Sequence, residues 1–160
     1  MPIQKLRQFL DENQVKYVVL SHSMAYTAQG IAERAHISGN VLAKTVMLKK
    51  DGELCMAVLP ASRHVDLGAF AKEAKSKDVV LASESDFRDQ FPDCELGAMP
   101  PFGNLYGLRV YVDSTLAQER EIAFNAGSHL ELVQLAYIDF ARLVEPTILD
   151  FATGPISHAA

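Results

Sequence analysis

Two apolar, strand-like runs separated by a four-residue turn constrain this chain more than anything else in it. Ala43-Lys44-Thr45-Val46-Met47-Leu48 and Leu54-Cys55-Met56-Ala57-Val58-Leu59 flank Lys50-Asp51-Gly52-Glu53. Asp-Gly is a strong signal for a tight hairpin turn, because its backbone adopts the positive φ angles such turns need. Apart from Lys44, the first run reads as a buried strand.

Around that hairpin the remaining segments alternate between helical and extended patterns. Ile3, Leu6, Phe9 and Leu10 fall on one helical face. Val15 to Leu20 reads as a strand, and Thr27 to His36 as a short helix capped by Thr27. Asp66 to Lys75 reads as a helix with Asp66 near its start, Val79 to Ala82 as a strand, and Ser83 to Phe91 as a helix opened by a Ser83/Asp86 capping box and stopped before Pro92. Leu108 to Val112 is a strand. Glu121 to Ala126 and Leu130 to Leu135 form a second hairpin across Gly127-Ser128-His129, and Tyr137 to Leu143 a late helix. Hairpins mixed with helices imply an α+β fold with a mixed sheet, not a doubly wound one.

Without a long linker, repeat or low-complexity stretch, residues 1–160 are expected to form one domain. Hydrophobic residues make up 49% and charged residues 22%, the balance of a soluble globular chain. No apolar run is long enough to span a bilayer and no signal-peptide core follows Met1, so the expected location is the cytoplasm, with no membrane partner. The net charge of −5 argues against non-specific wrapping of nucleic acid. That charge is uneven: residues 1–80 hold eleven Lys/Arg against eight Asp/Glu, and residues 81–160 hold four against twelve. A patch of Lys44, Lys49, Lys50 and Arg63 is thus available for a few phosphates, although scattered solvated lysines would give the same count.

The common catalytic signatures are absent: no phosphate loop, Gly-x-Gly-x-x-Gly, His-Glu-x-x-His, Cys-x-x-Cys or Gly-x-Ser-x-Gly. The five histidines are too dispersed for a local metal-ligand pair, and Cys55 sits in an apolar run that suits a core thiol better than a nucleophile. Three features remain. Lys44 interrupts an otherwise buried strand, where a lysine needs solvent, a carboxylate or a ligand anion. Gly97-Ala98-Met99-Pro100-Pro101-Phe102-Gly103 combines stiff prolines with permissive glycines, a loop able to hold backbone N–H and C=O groups rigidly toward a ligand. His129 follows Gly127 and Ser128 at the second hairpin turn, where it can line a pocket. Each has a bland alternative: an edge lysine, an ordinary turn and a solvated histidine.

Taken together and in order, these features resemble the YbaK/prolyl-tRNA-synthetase-associated family of editing domains over nearly the whole chain. Lys44 matches the lysine of its "K-T-hydrophobic" strand. Gly97-Ala98-Met99-Pro100, extended as Pro101-Phe102-Gly103, matches its Gly-x-x-x-Pro loop. His129, in Asn125-Ala126-Gly127-Ser128-His129, falls where members that edit alanine-charged tRNA for proline carry a pocket histidine. The resemblance implies a barrel-like mixed sheet with surrounding helices and a trans-acting hydrolase of mischarged aminoacyl-tRNA, alanyl-tRNA for proline first, then cysteinyl, seryl, threonyl or small non-protein esters. It implies no metal and no cofactor. Lys44 would hold the terminal phosphate of the tRNA acceptor end. Gly97, Ala98, Met99 and Pro100 would position the ester and water, with a substrate ribose hydroxyl assisting. Pro101, Phe102, Gly103, Gly127, Ser128 and His129 would complete the substrate pocket. A prolyl-tRNA synthetase or an elongation factor is a partner the resemblance leaves open. A non-catalytic module that binds a tRNA end or nucleotide, and a small cysteine hydrolase using Cys55 or Cys94, are the competing readings.

Overall fold

The computed structural model describes residues 3–21 and 38–154; the expected helix at 27–36 lies outside them. The first hairpin forms as its turn chemistry dictates. Strands β1 (Tyr17–Ser21), β2 (Ala43–Lys50) and β3 (Glu53–Pro60) open the sheet order, and β2 pairs antiparallel with β3 from Ala43↔Pro60 to Lys50↔Glu53. Only Asp51 and Gly52 lie between the strands, at φ 50° and 86°. Positive φ at both central residues is what a two-residue turn needs to match the strand twist.

β3 is the centre of the larger sheet. With β4 (His64–Val65), β5 (Val79–Leu81), β6 (Arg109–Asp113), β7 (Glu121–Asn125), β8 (Glu131–Ala136), β9 (Thr147–Leu149) and β10 (Ala152–Thr153), the orders are β5-β2-β3-β6-β9, β1-β8-β7 and β10-β4. β3 and β6 run parallel, as do β6 and β9, while the hairpins are antiparallel. This is the mixed α+β architecture expected. The two larger sheets join where Leu42 forms a parallel bridge to Ala123, with Ala123 N–H donating to Val41 O at 3.1 Å, which makes the whole barrel-like.

Burial on both faces explains the continuous apolar run of β3. Met56 and Val58 face the principal core, with Ala43 and Met47 of β2, Val110 and Val112 of β6, Ile122 and Phe124 of β7, and Val133 and Leu135 of β8. Cys55, Ala57 and Leu59 face a second core with Leu48, Phe70, Tyr111 and Phe151. Helix α1 (Gln4–Glu12) closes the first core with Leu6 and Leu10, both fully buried. Helix α2 (Leu67–Glu73) covers the second with Phe70; Asp66 caps it by accepting from Ala69 N–H at 3.0 Å. Helix α3 (Glu84–Phe87) opens on the expected Ser83/Asp86 capping box but gives way to a 3-10 turn at Arg88–Gln90 ahead of Pro92. α5 (Tyr137–Val144) follows β8.

The pieces not foreseen are short: β4, β9, β10 and α4 (Ser114–Ala117). They assemble around Asp113, which is 2% exposed. Its carboxylate accepts from Thr115 N–H at 3.0 Å, Phe151 N–H at 2.9 Å and Ala152 N–H at 2.8 Å, and from the Thr115 hydroxyl. Arg63 stands 3.7 Å away and donates to Ala152 O and Gly154 O, tying β4 and the 151–154 segment to the end of β6. Burial works to raise the Asp113 carboxyl, but the hydrogen bonds from Thr115, Phe151 and Ala152 outweigh it and hold it below the ordinary value of 3.8.

A depressed carboxyl contributes stability that is complete above the ordinary value and is lost as pH falls through the lower folded one. Asp113→Ala should therefore cost roughly 3–5 kcal/mol at neutral pH, because it removes the carboxylate beside Arg63 and leaves the Thr115, Phe151 and Ala152 N–H groups without their acceptor. In urea titrations between pH 7 and 2, the gap between native and variant should hold steady until the carboxylate range and narrow below it; a gap independent of pH would contradict the assignment.

Candidate active site

The parallel bridge fixes which side chains share a face. Paired residues in a parallel ladder point the same way, and faces alternate every residue. Ala43 and Phe124 both enter the principal core, so Leu42 and Lys44 of β2 lie on the opposite face together with Ala123 and Asn125 of β7. The bridge is isolated, but the alternation puts Lys44 on the face that Asn125 shares, and Asn125 stands two residues ahead of the Gly127-Ser128-His129 turn. Lys44 is half-buried, and burial lowers its ammonium below the ordinary lysine value. It has no ion pair among the described residues. Asn125 Oδ1 is buried and has no hydrogen-bond partner there either. A half-buried cation with no ion pair among the described residues is costly for folding alone, and a ligand anion would relieve it.

The loop and the second hairpin turn are strapped together at the end of β7. Glu95 N–H donates to Gly127 O at 2.8 Å and Gly127 N–H to Ala98 O at 2.8 Å. His129 N–H donates to Glu95 Oε2 at 3.1 Å, and its Nε2–H to Leu96 O at 2.7 Å, a carbonyl that only accepts. The imidazole, 7% exposed, thus braces the loop from beneath. Residues 95–98 form a turn closed by Ala98 N–H to Glu95 O at 3.0 Å, with Gly97 at φ +83°. A Cβ there would stand 3.5 Å from His129 Cε1, so space is available and backbone conformation is what demands glycine. Gly127 is demanded twice over, at φ +98° and with Ile3 Cγ2 only 2.3 Å from where a Cβ would lie.

Two of the three expected site features, the loop and His129, are thus in direct contact, with a division of labour along the loop. Gly97 is exposed, and neither its N–H nor its C=O is bonded internally among the described residues. Ala98 is buried with both backbone groups engaged, and Met99 packs in the principal core. Pro100, Pro101 and Gly103 are buried. Phe102 is fully buried against Phe9, Phe124 and Phe140, at centroid distances of 6.2, 5.4 and 5.4 Å. A Cβ on Gly103 would meet Leu108 O at 2.7 Å. This end of the loop is an anchor in the core. Ser128 Oγ accepts from Leu130 N–H at 3.0 Å and shapes the turn.

The basic patch is not assembled as composition suggested: Lys49 pairs with Asp86 at 3.2 Å and Arg63 with buried Asp113. Both cysteines are free thiols whose burial pushes them up to about 11, far from the thiolate a nucleophile needs. No group of three or more metal-binding side chains occurs among the described residues. Asn125 and Glu95 were not foreseen as site residues. Asn125 carried one signal, a polar residue ending an otherwise buried strand.

Comparison with known proteins identifies the family. Residues 22–143 match the family model described as the aminoacyl-tRNA editing domain. The multifunctional Ser/Thr-tRNA deacylase ProXp-y of Escherichia coli K12 is 29% identical over 156 residues, covering 92% of this chain and 91% of that protein. Among solved structures, the hypothetical protein APE2540 superimposes with a TM-score of 0.82 at 16% identity, covering 94% of this chain and all of that one. A protein described as a proposed trans-editing enzyme for prolyl tRNA synthetase gives 0.79 at 18% identity, covering 94% and 96%. At such identities these two speak for the fold. The chain belongs to the aminoacyl-tRNA editing domain family.

Proposed function

We propose that this aminoacyl-tRNA deacylase acts in trans on tRNA for proline that carries a small wrong amino acid: alanine, serine or threonine. The observation that carries the reading is Lys44, half-buried, without an ion pair among the described residues and on the same face as Asn125, which leads into the turn strapped to the Gly97 loop. The ammonium holds the phosphate of the terminal adenosine. The free N–H and C=O of Gly97 hold the ester and its water, and a ribose hydroxyl of the substrate orients the attacking oxygen. Catalysis by positioning of this kind needs neither a nucleophile nor a shifted acid–base pair in the protein.

Side-chain choice follows from size and polarity. His129 backs the turn that carries Gly97, so the pocket floor is rigid and favours small residues. One methylene separates substrates by only about 1–3 kcal/mol, which is why a second, smaller sieve is useful after charging. Alanine is the substrate favoured by the position of His129. Serine and threonine are supported by the activity named for the Escherichia coli relative.

Deacylation of a panel of charged tRNAs, with and without chelator, tests the reading; binding without turnover of any of them would favour a non-catalytic module instead. Lys44→Ala should lower kcat/KM about a hundredfold, the order seen when one group stabilising developing charge is lost. It should melt at the native temperature or above, because an uncompensated cation has gone; a collapsed melt would reassign Lys44 to structure. Gly97→Val forces a β-branched residue to φ +83° and should abolish turnover; unchanged rates would remove the loop from the mechanism. His129→Ala should broaden the accepted side chains, and a slower rate with unaltered preference would make His129 catalytic.

A further inference from the structure

The turn that presents Gly97 begins with a carboxylate. Glu95 O accepts from Ala98 N–H at 3.0 Å, which closes residues 95–98 into a single turn. Such closure keeps the Cα atoms of its first and last residues within about 7 Å of each other. The side chain is tied to the same place. Glu95 Oε2 accepts from His129 N–H at 3.1 Å, and the ring of that histidine passes under Gly97, with Cε1 3.5 Å from where a Cβ would stand. One histidine thus touches both the carboxylate and the glycine. Glu95, Leu96 and Gly97 are all exposed, so a ligand at the turn can reach all three. A carboxylate offers about four acceptor positions. The His129 bond is the one this carboxylate makes among the described residues, and no cation stands against it there.

Strapping the turn does not call for a charge. His129 N–H needs only an acceptor, which a carboxamide supplies as well as a carboxylate. Where an ester oxygen gains negative charge at Gly97, a carboxylate in the same turn opposes the reaction unless a cation stands between them. Residues 95–98 and 125–129 contain no lysine or arginine to fill that place. The substrate brings its own: the α-ammonium of an aminoacyl ester sits on the carbon next to the scissile carbonyl. Resting on the deacylase reading, we infer that the Glu95 carboxylate binds the α-ammonium of the aminoacyl ester and so restricts the site to esters with a free α-amine. Peptidyl, N-formylated and α-hydroxyacyl esters lack the ammonium, and each leaves the carboxylate facing the developing oxyanion. An exposed ion pair between mobile side chains is worth little. This one differs, because His129 fixes the carboxylate and the ester fixes its partner, so little freedom is lost when they meet.

The test takes the aminoacyl-tRNA that the native chain cleaves fastest and, by deamination, its α-hydroxy counterpart on the same tRNA body: lactyl for alanyl, glyceryl for seryl. Single-turnover kcat/KM, divided by the spontaneous rate of each ester, is compared for the native chain and Glu95→Gln, which keeps an oxygen for His129 N–H and removes the charge. The native chain should prefer the aminoacyl ester by about tenfold or more, the order of one charge-assisted hydrogen bond. The variant should lose most of that preference, falling on the aminoacyl ester while the hydroxyacyl ester holds or rises. An equal fall on both esters makes Glu95 a strap alone and overturns the inference, as does no change on either or a native chain indifferent to the amine. Each of these leaves the deacylase reading standing, whereas a native chain that cleaves none of a panel of charged tRNAs overturns both. Should the variant fail to fold, or the hydroxyacyl ester react too slowly to follow, non-hydrolysable 3′-amide analogues of the two adenosine esters can be competed on the native chain. Tighter binding of the amine analogue that narrows as salt is raised supports the inference. Equal binding, or a preference indifferent to salt, defeats it.

Discussion

The single parallel bridge between Leu42 and Ala123 is the contact on which the arrangement of the site depends. Without it the five-stranded and three-stranded sheets would be separate layers, and Lys44 would have no fixed relation to the 125–129 turn. With it, the alternation of faces along β2 and β7 does the rest: Ala43 and Phe124 go into the core, and Lys44 and Asn125 are left together outside it. One backbone contact thereby puts Lys44 and Asn125, far apart in the chain, on the same face. The surrounding core, with Phe102 wedged among Phe9, Phe124 and Phe140, keeps that registry from slipping.

Much of this could be read from the chain alone where the signal is local. The Asp51-Gly52 turn fixes the register of β2 and β3, Asp66 announces α2, and Gly127 announces the second hairpin. What escaped is long-range. β4 and β10 have two residues each, too few for any periodicity, and exist because Arg63 and Asp113 gather their backbone across fifty residues. For the same reason Arg63 looked like a surface cation and is a structural one. The Gly97 loop was recognised as one unit, but its division into an exposed glycine and a buried anchor depends on where the core ends. Lys44 was conspicuous in its strand; Asn125 on the same face was not, because which face a residue shares with another strand is a property of the pairing and not of the sequence.

The strapped loop also bears on how rigid such a site has to be. Four hydrogen bonds link residues 95–98 to residues 127–129, two of them backbone to backbone and two made by His129. A loop held by its backbone alone can still hinge about Gly97; the imidazole bonded to Leu96 O removes that freedom. In the reading proposed above, positioning contributes to rate only if the positioned groups do not relax when the ester arrives, and the His129 bonds to Glu95 and Leu96 hold that loop in place.

Charge bears on the reading proposed above, in which Lys44 holds the acceptor end. The chain carries a net −5, and most of the acidic excess lies in its second half. An acidic body repels the duplex arms of tRNA and gains nothing from wrapping them. A flexible single-stranded end, by contrast, can be threaded to a recessed cation with few phosphates engaged. Burial strengthens that one contact, because a charge pair formed away from bulk water is less screened than one on the surface. Two other cations of the expected patch are held elsewhere in the fold, Lys49 by Asp86 and Arg63 by Asp113. Discrimination therefore falls to the ester and its side chain, which is where an editing enzyme has to discriminate.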